Sequence, residues 1–134
     1  MTVAGRRHIT SGGPYEEAVG YSRAVVDGDR CWVSGTTDAG PGGASRHPGD
    51  ARAQSVAAFE IVQGALAEAG FRLADVVRTR IYLVDADDIP AVTAVHGDLF
   101  RDIRPAATLV IVAGLMEPSL VVEVEVDAVR SPGS

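Results

Sequence analysis

Three carboxylates near the end of the chain alternate with apolar residues and are the clearest candidates for acid–base chemistry. Within residues 121–129, Glu123, Glu125 and Asp127 share one face of a predicted strand, and apolar side chains occupy the other face. The pattern leaves two interpretations open: a solvent-exposed face, or a cleft or subunit interface where an arginine pairs with the carboxylates. In a cleft, burial would raise a carboxylate pKa toward neutrality and suit the group to act as a general base.

The histidines and the cysteine add little chemistry. His8, His47 and His96 lack the spacing of metal ligands, so we expect no metal site and no cofactor. His96 lies on a predicted helix beside apolar positions, where it either packs at the border of the core or projects into a cleft. Cys31 is the single cysteine, and its place in the apolar run 31–33 predicts a buried, unreactive thiol.

The elements that must position these residues are predicted in the order β-β-α-β-α-β-β. Residues 1–19 are polar and contain a Gly-Gly-Pro cluster, so we expect an irregular lead-in. An Asp-Gly pair at 27–28 predicts a hairpin turn, and aspartates at 50 and 88 are predicted helix caps. The predicted strands are 21–26, 30–33, 76–84, 107–113 and 121–129. One predicted helix spans 50–69 and is ended by Gly70, and a second helix begins at 88.

Two helices against one mixed sheet predict a single α+β domain over residues 1–134. The sequence contains no signal peptide and no apolar window that approaches a membrane span, so we expect a cytoplasmic protein without a membrane partner. The formal net charge of -6 and the aromatic content of 5% weigh against a nucleic-acid partner, since a polyanion would be repelled and few rings are available for base stacking.

Several short segments occur in the order and near the spacing of one family. These segments are Tyr21 to Val25, Gly28, Val33 to Gly35, Asp75 to Thr79, Arg104 to Ala106 and Val122 to Glu125. On them the chain resembles the RidA/YjgF family of reactive intermediate deaminases, also described as endoribonuclease L-PSP-like. The resemblance implies a chorismate-mutase-like fold and a homotrimer whose sheets form a central barrel with clefts between subunits. It also implies hydrolysis of 2-imino or enamine acids to 2-keto acids and ammonia.

The resemblance also implies roles for individual residues. Tyr21 matches the tyrosine of the family's pocket, and Ser34 and Gly35 match the Ser-Gly turn that lines the cleft. Glu123 matches the glutamate that places or activates water. The earlier pair Pro14-Tyr15 mimics a family motif but lies too far from the Ser-Gly turn to be the match.

The family's substrate-binding arginine has no direct counterpart. At the position of that arginine, two residues after Pro105, this chain has Ala107. At a neighbouring helix position where the family often has asparagine, this chain has Thr93. In the family the arginine holds the substrate carboxylate through two hydrogen bonds. Arg23 is a candidate replacement, although it could instead be a counter-charge for the three carboxylates. Arg104, three residues before Ala107, is the other candidate.

These departures favour a ligand-binding function over the usual reaction. The first interpretation is a homotrimer that binds a small anionic metabolite in clefts between subunits and lacks standard 2-imino-acid deaminase activity. The alternative is a hydrolase of an imine, an enamine or a related reactive intermediate that uses Glu123 and a relocated arginine. RNA cleavage, an activity attributed to some relatives, is disfavoured by the negative charge and the scarcity of aromatic residues.

Overall fold

The computed structural model describes residues 4–131 and forms from them a six-stranded mixed sheet packed against two helices. The strand order is β1-β2-β3-β6-β4-β5, in which β4 and β5 run parallel and the other neighbours antiparallel. This is the predicted α+β class. The elements are β1 (Arg6–Ile9), β2 (Ala24–Asp27), β3 (Arg30–Thr36), α1 (Ala51–Ala69), β4 (Val76–Leu83), α2 (Ile89–Phe100), β5 (Ala106–Ile111) and β6 (Val122–Val129).

The lead-in is more regular than the sequence predicts, and the order becomes β-β-β-α-β-α-β-β. Residues 1–3 lie outside the described residues, but β1 pairs antiparallel with β2 as an edge strand. An ion pair of 2.9 Å between Arg6 and Asp27 and the burial of Ile9 fix this pairing. A π-helical turn follows at Glu16–Gly20. The prediction was wrong because β1 is only four residues long and mostly polar, which leaves no alternation to detect.

The structure confirms the predicted hairpin and the predicted cap of the first helix. It does not confirm the predicted side-chain cap of the second helix. Gly28 takes a φ of 59° in the turn between β2 and β3, a conformation that glycine adopts without strain. Asp50 accepts a hydrogen bond of 3.0 Å from the Ala53 amide at the start of α1. The Asp88 side chain makes no such bond at α2. The side-chain hydrogen bond near this helix lies instead in the preceding turn, where the Asp85 carboxylate accepts a hydrogen bond from the Asp87 amide.

The helices cover the apolar face of the central strands. On β6, Val122, Val124, Val126 and Ala128 are almost completely buried, whereas the three carboxylates lie on the opposite face. The alternation read from the sequence is therefore confirmed. Cys31 is also fully buried, and burial raises the pKa of its thiol to about 11, as expected for an unreactive cysteine. None of the helices within residues 4–131 is long and apolar enough to cross a membrane.

Candidate ligand-binding site

An irregularity between β3 and β6 creates the local geometry of the site. The two strands pair in register up to Val33 opposite Val126, and pairing resumes at Thr36 opposite Val124. Three steps along β3 therefore match two steps along β6, which is a β-bulge. The extra length is taken up at Ser34 and Gly35, so these residues leave the regular ladder.

Glu123 lies directly against this bulge. A Cβ added at Gly35 would overlap the Oε2 atom of Glu123, so the carboxylate occupies the space that any other side chain would fill. Glycine at position 35 is thus required for the observed position of Glu123. The Ser-Gly turn and the glutamate that the sequence singled out are in contact.

The environment of Glu123 raises its pKa. Burial is the main cause, because it disfavours the charged form, and the neighbouring Glu125 acts in the same direction. Arg23 opposes both effects without cancelling them. A carboxyl group with this balance takes up a proton more readily than an exposed one, which suits general acid–base chemistry.

Arg23 holds the bulge through its guanidinium group. Its Nη2 atom donates to the carbonyl oxygens of Ser34 at 2.8 Å and Gly35 at 2.6 Å. Its Nε atom is buried and has no hydrogen-bond partner among the described residues. Burial lowers the pKa of Arg23, while the nearby Tyr21, Glu16 and Glu123 favour its charged form. Arg23 is therefore a structural anchor that uses only part of its N–H donors on the bulge.

Two further polar groups complete this side of the site. The Ser34 hydroxyl donates to the Ser22 carbonyl at 2.6 Å, so only its acceptor capacity remains. Tyr21 follows the π-helical turn, is 42% exposed, and donates its backbone N–H to the Glu16 carbonyl at 2.9 Å. Tyr21 is therefore partly exposed two residues before Arg23, which itself precedes β2.

Glu16 belongs to this cluster and was missed in the sequence. It is 7% exposed and accepts hydrogen bonds from the Thr10 hydroxyl and from both the amide and the hydroxyl of Ser11. Burial alone would raise its pKa, but these hydrogen bonds and Arg23 hold the pKa below its usual value. No periodic signal marks Glu16, because its contacts depend on how the lead-in folds back.

The other two carboxylates of β6 find partners on β4. Glu125 accepts a hydrogen bond from the Tyr82 hydroxyl, and Asp127 lies 3.6 Å from Arg80. Of the two roles left open for Arg23, that of counter-charge applies to Glu123, whereas Asp127 is paired with Arg80. Arg78, Arg80 and Tyr82 alternate along β4, so they share the sheet face of the β6 carboxylates. Because β4 and β6 are neighbours, this alternation was the sequence signal for the pairing.

Thr93, Arg104 and Ala107 lie apart from this cluster. The Thr93 hydroxyl donates to the Ile89 carbonyl within α2, and Arg104 follows the end of that helix. Ala107 is opposite Thr79 on β4, and Thr79 is opposite Val126 on β6. Residues directly opposite each other share a face, so Ala107 lies on the helix side of the sheet. Glu123 lies on the other side, two strand spacings across the sheet and three residues along it, so the two backbones are about 14 Å apart.

The structure confirms the first interpretation of His96, that it packs at the border of the core. Its Nε2 atom is 2.8 Å from the Thr79 hydroxyl, and its ring packs against those of Phe59 and Phe100. Burial lowers its pKa, so the imidazole is neutral at neutral pH. Within residues 4–131, no group of three histidine, cysteine, aspartate or glutamate side chains is arranged to hold a metal ion.

Comparisons with known proteins agree on one family. The family model described as endoribonuclease L-PSP matches residues 14–130. An uncharacterised protein of Streptomyces coelicolor is 41% identical over 130 residues, which is 97% of this chain and 96% of the relative. The 2-iminobutanoate/2-iminopropanoate deaminase of Rattus norvegicus is 29% identical over 127 residues, 94% of this chain and 92% of the relative.

A solved structure gives the same result. The fold is similar to that of a Mycobacterium tuberculosis member of the YjgF/YER057c/UK114 family, with a TM-score of 0.85 and 43% sequence identity. The match covers 93% of this chain and 99% of that chain. These similarities extend over nearly the whole described fold, including both strands that form the bulge.

We expect Glu123→Gln to raise the melting temperature more at about pH 8 than at about pH 4. The folded-state pKa of Glu123 is raised, so its contribution to stability is present below the unfolded pKa and is lost as pH rises through the folded pKa. Glutamine does not titrate and avoids that loss. Thermal melts at both pH values measure the difference, with the exposed Glu60→Gln as the control. Equal changes at both pH values would contradict the prediction.

We expect Arg23→Gln to destabilise the protein by about 1–3 kcal/mol, because two partly buried carbonyl groups lose a charged donor. Urea unfolding of this variant and of Arg30→Gln, which removes an exposed arginine, measures the effect. An Arg23→Gln variant as stable as the wild type would show that the guanidinium does not anchor the bulge.

Proposed function

The chain belongs to the endoribonuclease L-PSP family, the RidA/YjgF proteins, and from this premise we propose that it is a homotrimer that binds a small anionic metabolite in clefts between subunits. We further propose that it lacks standard 2-imino-acid deaminase activity. Tyr21, Arg23, Ser34, Gly35 and Glu123 would form one wall of each cleft. Thr93, Ala107 and, less directly, Arg104 would approach from a neighbouring subunit.

The observation that carries this proposal is the separation of Glu123 from Ala107. Within one protomer they lie on opposite faces of the sheet, with β4 between their strands. A cleft that uses both of the family's positions therefore requires two protomers. The exposed residues of β5 support this conclusion, because Val110 and Ile111 are 41% and 47% exposed on an edge strand that can pair with or pack against another chain.

The anionic character of the ligand follows from the free donor in the cluster. The Nη2 atom of Arg23 is engaged by the bulge and its Nε atom is buried, whereas its Nη1 atom makes no hydrogen bond with residues 4–131 and is not among the buried atoms. A ligand acceptor at Nη1 would gain a charge-assisted hydrogen bond. A carboxylate is the smallest common group that supplies such an acceptor.

The absence of standard deaminase activity follows from Ala107. An alanine cannot supply the two charged hydrogen bonds that the family arginine makes to a substrate carboxylate. Each such bond is worth about 1.5–3 kcal/mol, so a 2-imino acid would be held several kcal/mol more weakly. One hydrogen bond from Arg23 would replace only part of this loss.

The raised pKa of Glu123 favours one alternative, a hydrolase of another imine, enamine or related reactive intermediate. Glu123 would take a proton from water as the oxygen attacks the imine carbon and would pass that proton to the nitrogen, which gives a carbinolamine. The C–N bond would then break as the carbinolamine hydroxyl gives its proton through Glu123 to the amino group, so that the carbonyl product forms and ammonia leaves. Arg23 or Arg104 would hold the substrate. The name of the rat relative is compatible with this chemistry but describes that protein only.

We expect light scattering at micromolar concentration to give the mass of a trimer. The sheet face that carries the three carboxylates and the exposed edge strand β5 would be covered in that assembly. A second measurement at tenfold dilution tests whether the trimer persists. A monomer mass at both concentrations would overturn the proposed cleft, because no single protomer brings Glu123 and Ala107 together.

We expect little acceleration of keto-acid release when the protein is added to a pyridoxal-phosphate dehydratase that produces 2-imino acids. Ala107→Arg should increase the rate, because it restores the guanidinium on the helix-facing side of β5. Ala106→Arg is the matched control, since it places the same side chain on the opposite face of that strand. A wild-type rate equal to that of an arginine-bearing relative would show that Ala107 does not limit the reaction.

A further inference from the structure

A second depression, of about 420 Å³, lies at the C-terminal end of α2 and the turn that leads into β5. Its size is within the usual range for sites that bind small molecules. It is formed by a single protomer and shares no residue with the bulge, Arg23 or Glu123. Its lining residues are His96, Gly97, Phe100, Arg101, Arg104 and Pro105.

Arg104 adopts an unfavourable backbone conformation at this depression. Its φ is 55°, and among residues 4–131 it is the only residue other than glycine with a positive φ. The seven other positive-φ positions in that range are all glycines. A left-handed conformation costs a side-chain-bearing residue about 1–2 kcal/mol.

The fold itself does not require arginine at this position. The Arg104 amide donates to the Phe100 carbonyl at 2.8 Å, which is a helix-ending contact typically made by glycine. A glycine would make the same backbone contact without the strain. Residues held in such conformations cluster at functional sites. Since the backbone does not require arginine here, a function of the side chain would explain why arginine occupies this position.

The charges around the depression are positive and mostly unopposed. Arg104 forms no ion pair with any residue in the described part of the chain, and Arg101 lies 3.7 Å from Asp98 in a pair whose side chains are both more than half exposed. Such exposed pairs are weak and leave a guanidinium available. The end of α2 is by itself unfavourable for an anion, so an anion here depends on both arginines.

The floor of the depression is apolar and fixed in position. Phe100 is 2% exposed, and its ring centre is 4.7 Å from that of His96. His96 is in turn held by its hydrogen bond to Thr79. Pro105 forms the opposite border. Because Phe100 is buried, the surface open to a flat apolar group is that of the partly exposed His96 and Pro105, beside the two arginines.

We propose that this depression is an anion-binding site for a small aromatic carboxylate, distinct from the cleft that contains Glu123. Arg104 and Arg101 hold the carboxylate, and His96 and Pro105 contact the ring. Guanidinium groups favour carboxylates and phosphates, and the apolar floor selects between a bare inorganic anion and an anion with a flat organic body.

The test is an NMR titration of the ¹⁵N-labelled full-length protein with benzoate as the probe. Benzoate should shift the amide signals of Gly97, Arg101 and Arg104 in a saturable way. Arg104→Gly should weaken binding at least tenfold while the melting temperature stays equal or rises, because glycine relieves the strain. The control Arg30→Gln removes an exposed arginine elsewhere and should leave the affinity unchanged.

Other probes separate the alternatives. Benzyl alcohol, which has the ring but no charge, should not bind, and inorganic phosphate should bind more weakly than benzoate. Equal binding of either probe would overturn the proposed ligand class. Benzoate shifts confined to Ser34 and Gly35, or an Arg104→Gly variant with unchanged affinity, would overturn the site itself. A loss of stability in Arg104→Gly would overturn the argument from strain. The cleft wall formed by Arg23 and Glu123 does not depend on these outcomes, whereas the alternative hydrolase in which Arg104 holds the substrate would share that residue with this site.

Discussion

The contact between the Arg23 guanidinium and the two carbonyl groups of the bulge is the constraint on which the candidate site depends. The carbonyls of Ser34 and Gly35 leave the β-ladder and need a donor, which Nη2 supplies. Glycine at position 35 then leaves room for the Glu123 carboxylate, and the nearby charge of Arg23 offsets part of its desolvation. Bulge, glycine, arginine and glutamate therefore form one unit, and changing any of them alters the others.

The sheet imposes a second constraint on function. Side chains alternate between its faces, so Glu123 and Ala107 cannot meet within a protomer. A site that combines them is possible only through association, which links the oligomeric state to the chemistry. The two arginines considered as replacements also differ in kind: Arg23 is held by partly buried carbonyl groups, whereas Arg104 is exposed and accepts backbone strain.

Residues that are close in the chain could be placed well from the sequence. The alternation of Val122 to Asp127 predicted both faces of β6, and Asp50 and Gly70 marked the ends of α1, because caps and periodicity depend on local conformation. The lead-in was less predictable. The strand β1 exists only because β2 offers it an edge, and Glu16 is buried only because Thr10 and Ser11 fold over it.

The sequence by itself determined the α+β class, the family, and the residue types available for chemistry: a tyrosine, a Ser-Gly pair, a glutamate and an alanine in place of an arginine. Only the tertiary structure decided which of them meet. It assigned Arg23 to the bulge and Arg80 to Asp127, and it put Ala107 on the face opposite Glu123. The physical reason is that strand order and register set distances between residues far apart in the chain, and neither is encoded in local periodicity.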